Sequence, residues 1–236
     1  MTAIIFSSTY EAGKIIEDSR SMLASRIYSE EWEIDARLAS GFGVTRDDLV
    51  DVIRNTLAER SSSVEVDPIN APGQLAYIAG TRHMRWLFMS KGFVISRDRN
   101  VESVINPATG MKIAYQNVDL ACAQRAPRAI SGKKAGSAKI IGDAQGLLFP
   151  RPGDLPEAVD PELVKGLKSA VWYLCASFDG DDIRAELSLP ASVKDGNFYG
   201  FLERIFIIRG GDWGGFESRS HDDDGPVNVE PVISRR

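Results

Sequence analysis

Apolar residues recur at helical spacing through the first 60 residues of the chain. After a candidate capping box formed by Ser8 and Glu11, four apolar residues fall on one helical face: Ile15, Ile16, Leu23 and Ile27. Residues 29–41, SEEWEIDARLASG, predict a second, short helix. We expect it to end at Gly41, because glycine adopts the left-handed backbone of a helix C-terminus at little cost.

Two further helices are predicted downstream. Thr45 and Asp48 form another candidate capping box, which is followed by apolar residues at helical spacing: Leu49, Val50, Ile53 and Leu57. After a break rich in proline and glycine, residues 74–90 predict a buried helix. Gly80 weakens this prediction, and a strand over residues 86–89 is the alternative.

From Phe93 the spacing of apolar residues changes towards the period of two that is typical of strands, although residues 119–160 show little periodicity. Residues 101–118 predict a hairpin whose turn contains three turn-forming residues: Asn106, Pro107 and Gly110. Residues 170–178 and 182–190 predict a second hairpin around an Asp-Gly turn. Residues 198–211 predict a further segment that ends in a strand.

These elements predict an α+β fold in which N-terminal helices pack on a mainly antiparallel sheet. Prolines concentrate at residues 150–161, which we take as a boundary. The chain then divides into a helical region, a region with a helix, a hairpin and a basic loop, an antiparallel β region and a polar tail: residues 1–72, 73–150, 151–215 and 216–236. A single domain is the alternative.

Composition and charge restrict the class of protein. The chain is 43% hydrophobic and 26% charged, which is ordinary for a folded protein. It has no apolar run of about 18 residues and no secretory signal at its start, so we predict no membrane partner. Cys122 and Cys175 form no close pair, which argues against a disulfide framework or a zinc cluster and favours a cytoplasmic protein.

A basic loop stands out because the whole chain has a net charge of −5. Its sequence over residues 125–139, RAPRAISGKKAGSAK, contains five basic residues and no acidic one: Arg125, Arg128, Lys133, Lys134 and Lys139. A P-loop would need glycine at Pro127 and serine or threonine at Lys134, so that motif is excluded. Two hypotheses are left, a strip that contacts nucleic-acid phosphates and a solvated surface loop.

The nucleic-acid hypothesis extends to Arg82 and Arg85, which lie three residues apart on the predicted helix and therefore share a face. The loop has no aromatic residue for base stacking. Any contact would thus be with the phosphate backbone rather than with bases.

Clustered carboxylates suggest an alternative function. Asp179, Asp181, Asp182 and Glu186 could supply the oxygen ligands of a magnesium-dependent hydrolase or nuclease. An Asp-Gly turn explains the aspartates equally well without a metal. We therefore assign no metal ligands on this pattern.

Other catalytic and cofactor motifs are missing from the sequence. It contains two histidines, His83 and His221, and neither a G-x-S-x-G nor a G-x-G-x-x-G motif. We assign no catalytic residues and no cofactor.

An aromatic and glycine-rich loop, RGGDWGGF at residues 209–216, is a candidate protein interface through Trp213 and Phe216. The alternative is a capping loop that places Trp213 in the core. Six other large apolar residues are interpreted as core or interface: Trp86, Trp172, Tyr173, Phe198, Phe201 and Phe206.

The sequence thus favours a non-enzymatic binding or adaptor subunit of a larger cytoplasmic assembly. We expect a protein partner or a homo-oligomer, with nucleic acid as a further candidate partner through the basic loop.

Overall fold

The computed structural model describes residues 25–98, 101–130, 171–194 and 197–216 of the 236-residue chain. The helices are α1 (Glu31–Phe42), α2 (Arg46–Arg60) and α3 (Ala71–Ser90), and residues 213–216 form one further helical turn. The strands are β1 (Arg26–Tyr28), β2 (Val94–Ser96), β3 (Ser103–Ile105), β4 (Lys112–Asn117), β5 (Val171–Asp179), β6 (Asp182–Lys194) and β7 (Asn197–Ile208).

The seven strands form one mixed sheet in the order β1-β7-β6-β5-β4-β3-β2. The α+β class is therefore confirmed, and the description of the sheet as mainly antiparallel is confirmed in part, since four of the six strand pairs are antiparallel and two are parallel. β1 runs parallel to β7, and β4 runs parallel to β5. The sheet takes strands from the first three predicted regions, and the predicted division into domains stays a prediction.

The N-terminal helices follow local signals in the sequence, with two corrections. The Thr45 hydroxyl accepts from the Asp48 amide and the Asp48 carboxylate accepts from the Thr45 amide, so the capping box of α2 is confirmed. α1 continues past Gly41 because Phe42 is buried in the core, and Gly43 supplies the left-handed C-cap at φ 68°. Ile27 lies in β1 opposite Arg204, so the predicted first helix does not extend to it.

The long helix α3 is confirmed, and the alternative strand over residues 86–89 is wrong. At Gly80 the helix packs closely against the sheet. A Cβ built on Gly80 would be 2.4 Å from the Tyr115 ring on β4. The absence of a side chain therefore allows α3 to pack directly on this ring.

Both predicted hairpins are formed. In the β3–β4 turn, the Asn106 side-chain oxygen accepts from the amides of Ala108 and Thr109, and Gly110 has φ 77°. In the β5–β6 turn, Gly180 has φ 55°. Asn106 thus provides a side-chain acceptor for the turn amides, and the two glycines adopt the positive φ that such tight turns require.

Both faces of the sheet are buried. The three helices pack on one face, around residues such as Phe88, Ile113, Leu174 and Ile205. On the other face, the segment that follows β4 packs against the sheet through Val118, Ala121, Cys122 and Ala129. Arg125 and Arg128, the first basic residues of the predicted loop, belong to this segment.

Candidate functional site

A groove with a volume of about 450 Å³ runs along the outer side of α3 beside the edge strand β2. Its wall is mainly formed by apolar and aromatic side chains: Tyr77, Ile78, Trp86, Met89 and Ile95. Four polar side chains also line it: Thr81, Arg82, Arg85 and Glu102. A mainly apolar concavity with a few converging polar groups is the usual form of a binding site.

The groove exists because α3 carries apolar residues on two faces. Its inner face is buried against the sheet and α2 through residues such as Met84 and Phe88. Its outer face leaves Trp86 60% exposed and Ile78 51% exposed. Met89 and Ile95 line the groove together with these two exposed side chains. The groove could have been located from the sequence of α3, because its apolar residues cover more of the helix surface than one buried face requires.

An ion pair sits at the β2 side of the groove. Arg85 donates from Nη2 to Glu102 Oε2, and Arg97 Nε lies 3.4 Å from the same oxygen. Two shielded polar atoms, Arg85 Nε and Thr81 Oγ1, have no hydrogen-bond partner within the described residues. Leaving such atoms unpaired costs about 1–3 kcal/mol each, and their lack of accessible surface keeps them out of direct reach of a ligand in this conformation.

The Tyr77 phenol is a further polar group of the groove. Burial raises the pKa of Tyr77 above its ordinary value, and the Glu102 carboxylate adds to the shift. The Thr81 hydroxyl and the Arg85 guanidinium oppose it, although Thr81 Oγ1 makes no hydrogen bond of normal geometry. Tyr77 is therefore a neutral phenol at physiological pH and able to donate a hydrogen bond to a ligand.

The arginines predicted to contact nucleic acid occupy two different places. Arg82 Nη1 lies 2.5 Å from Glu59 Oε1, and Arg85 is paired with Glu102, so both belong to the helix side of the sheet. Arg125 and Arg128 belong to the segment packed on the opposite face. Lys133, Lys134 and Lys139 lie outside the described residues. The contact with nucleic acid stays a prediction.

Asp119 anchors the first part of the basic loop. Its Oδ1 accepts from the amides of Leu120 and Arg128 at 2.8 Å each, and its Oδ2 accepts from Arg125 Nη1 at 2.9 Å. Partial burial works against ionisation of the carboxyl group, but these hydrogen bonds outweigh it and the pKa of Asp119 lies below its ordinary value.

The Asp119→Asn variant tests this anchor through its pH dependence. Because the folded-state pKa is lowered, the carboxylate stabilises the fold above its ordinary pKa of about 4, and this stabilisation is lost as the pH falls through the folded-state value. We expect wild type to exceed the variant in unfolding free energy by less than about 1 kcal/mol at pH 7, as for other exposed pairs. The difference should shrink towards pH 3 in urea titrations. A difference independent of pH would contradict the anchor.

A buried ion pair fixes the same segment at a second point. Arg204 donates from Nε to Glu186 Oε1 at 2.8 Å and from Nη2 to Oε2 at 2.6 Å, and both side chains are almost fully buried. Glu186 Oε2 also accepts from the Cys122 amide at 2.6 Å. Arg204 Nη1 donates to the Ala123 carbonyl at 2.9 Å. We call these four residues the loop latch.

Cys122 is buried where the loop latch joins the sheet. Its backbone has φ 51°, and its thiol donates to the Ala185 carbonyl at 3.0 Å. Burial raises the pKa of the Cys122 thiol well above its ordinary value, and the Glu186 carboxylate adds to this shift. A buried, neutral thiol is a poor nucleophile.

The four carboxylates of the alternative metal site do not converge. Glu186 is committed to Arg204, and Asp182 accepts from Arg184 Nε at 2.8 and 2.9 Å. Asp179 and Asp181 lie at the exposed tip of the β5–β6 hairpin. Within the residues that the structure describes, no group of three histidine, cysteine, aspartate or glutamate side chains is placed to hold a metal ion.

The aromatic residues of the predicted interface loop are buried. Trp213 and Phe216 belong to the core cluster under the helices. Arg54 Nη2 donates to the Phe216 carbonyl at 3.1 Å, and the Arg46 guanidinium lies 5.0 Å from the centre of the Phe216 ring. The loop therefore caps the core, as the alternative interpretation predicted. Trp213 and Phe216 are buried, so their apolar surface is not available to a partner.

Comparison with protein-family models, with curated proteins and with solved structures found no significant match to this chain. In the part of the chain that the structure describes, no helix has both the length and the apolarity that a membrane crossing needs.

Proposed function

We propose that this chain is a non-enzymatic binding protein, a subunit or adaptor of a larger cytoplasmic assembly, and that the groove beside α3 holds a segment of a protein partner. One observation carries the proposal: Trp86, a residue type common at the centres of interfaces, is exposed in a groove whose wall is mainly apolar.

The polar groups of the groove support binding better than catalysis. Glu102 is its one lining carboxylate among the described residues, and two arginines hold it in place. A general acid or base must place its own oxygen within reach of the substrate, and Oε2 of this carboxylate is already paired with Arg85 and Arg97. Arg85 and Tyr77 are instead suited to donate hydrogen bonds to a bound acceptor.

Replacing Trp86 with alanine tests this function. Peptides enriched from a random display library on the folded wild-type chain serve as probes, with affinity measured by fluorescence anisotropy. We expect Trp86→Ala to weaken their binding about tenfold or more, because the exposed indole is the largest anchor in the groove.

Trp32 provides the matched control, because this α1 tryptophan is 72% exposed and lies outside the groove. Trp32→Ala should leave peptide affinity unchanged, and both variants should unfold at nearly the wild-type denaturant concentration. The proposal fails if no peptide is enriched, or if the enriched peptides bind Trp86→Ala as well as wild type.

A further inference from the structure

We infer that the partner segment binds in an extended conformation as an added strand along β2, and that it carries alternating apolar residues and at least one carboxylate. This inference rests on the proposed function of the groove. It adds the conformation and the chemistry of the occupant.

The position of the groove supports an added strand. β2 is the last strand of the sheet and pairs with β3 and with no other described strand. Ile95 on β2 lines the groove, and β2 leaves Val94 49% exposed. A strand added to β2 would lie about 4.8 Å away, so that every second side chain would enter the groove against α3.

The length of the groove fits the same occupant. Its lining runs along α3 from Tyr77 to Met89, which is about 18 Å at the helical rise per residue. An extended segment of about five or six residues has this length. β2 itself has three residues, so backbone pairing is limited and the apolar groove must supply much of the affinity.

The charges around the groove favour an acidic partner segment. Three guanidinium groups line or border it, from Arg82, Arg85 and Arg97, against the carboxylates of Glu59 and Glu102. The groove therefore has an excess of positive charge on a chain whose net charge is −5. A partner segment with a carboxylate matches this field, whereas a second copy would bring together two chains of the same net sign.

The polar atoms within the groove also suit an extended backbone. The Tyr77 phenol and the Arg85 guanidinium belong to side chains that line the groove, and each group can donate to a carbonyl oxygen. An extended segment exposes backbone groups that need such partners, whereas a helix satisfies most of its own.

The experiment is a backbone N-methyl scan of the enriched peptides whose binding depends on Trp86. Each methyl group removes one amide donor. We expect a period of two, in which alternate positions lose about tenfold or more in affinity and the positions between them lose little. The enriched sequences should show apolar residues at i, i+2 and i+4 together with Asp or Glu.

Arg97 offers a charge test, because it is 67% exposed and its replacement should not disturb folding. Changing the peptide Glu to Gln should weaken binding to wild type several-fold and weaken binding to Arg97→Gln much less. Equal losses with the two proteins would overturn the acidic part of the inference.

Three outcomes overturn the added strand while leaving the proposed function intact: Trp86-dependent peptides with apolar residues at i, i+3 and i+4, an N-methyl scan without a period of two, or a concentration-dependent dimer that excludes the peptides. Peptides that bind independently of Trp86 overturn the proposed function itself.

Discussion

Glu186→Gln is expected to lower the free energy of unfolding by about 3–5 kcal/mol, the range for leaving one partner of a buried ion pair uncompensated. Arg204 is 2% exposed and Glu186 is fully buried. The amide of glutamine can replace one of the two acceptor oxygens but removes the negative charge. Urea unfolding at pH 7, followed by circular dichroism, measures the loss.

Asp182→Asn on the same strand is the matched control, since the Asp182–Arg184 pair is more exposed. Its cost should stay below about 1 kcal/mol. Replacing both Glu186 and Arg204 by apolar residues is not expected to restore stability, because the Cys122 amide and the Ala123 carbonyl would lose their partners. A loss for Glu186→Gln no larger than that for Asp182→Asn would contradict the role of the loop latch.

Gly80→Ala is expected to destabilise the fold by about 1–3 kcal/mol, although alanine is the better helix former. The new Cβ would lie 2.4 Å from the Tyr115 ring. That ring is buried and its hydroxyl donates to Asn117 Oδ1 at 3.0 Å, so it cannot move aside cheaply. Thermal and urea unfolding of the variant measure the effect.

Gly73→Ala is the control on the same helix, since a Cβ at Gly73 meets no atom within 4 Å. We expect it to be neutral or slightly stabilising. In a Tyr115→Leu background, Gly80→Ala should cost less, because the clash with the ring is removed. Equal effects of the two glycine substitutions would show that close packing is not the reason for Gly80.

Local signals explain how much of the fold could be predicted. The capping box at Thr45, the Asn106 turn, the apolar run of β5 and the alternation in β6 each act within a few residues, and each of these elements is present in the structure. β1 and β2 were missed because three residues carry no measurable period and, unlike the equally short β3, neither strand belongs to a predicted hairpin. Their place is set by neighbouring strands rather than by their own sequence.

The candidate site depends on contacts that spacing along the chain does not encode. The sequence indicated Glu186 only as a candidate metal ligand. Its partner in the structure, Arg204, lies 18 residues away in the chain and is brought next to it by the pairing of β6 with β7. Trp86 was interpreted as core or interface from its size. Whether Trp86 is buried or exposed depends on which side of α3 faces the sheet. The close packing of Gly80 on Tyr115 determines that side.

The same packing has a consequence for the energetics of binding. Gly80 holds α3 against Tyr115, and the Gly73 carbonyl accepts from Asn117 Nδ2 at 2.8 Å, so the helix is attached to β4 at two points, about two turns apart. The helical wall of the groove is therefore rigid before any partner arrives. The helix therefore loses little conformational entropy when a complex forms. Because this cost is small, a short segment can bind more tightly than it would to a flexible surface with the same contacts.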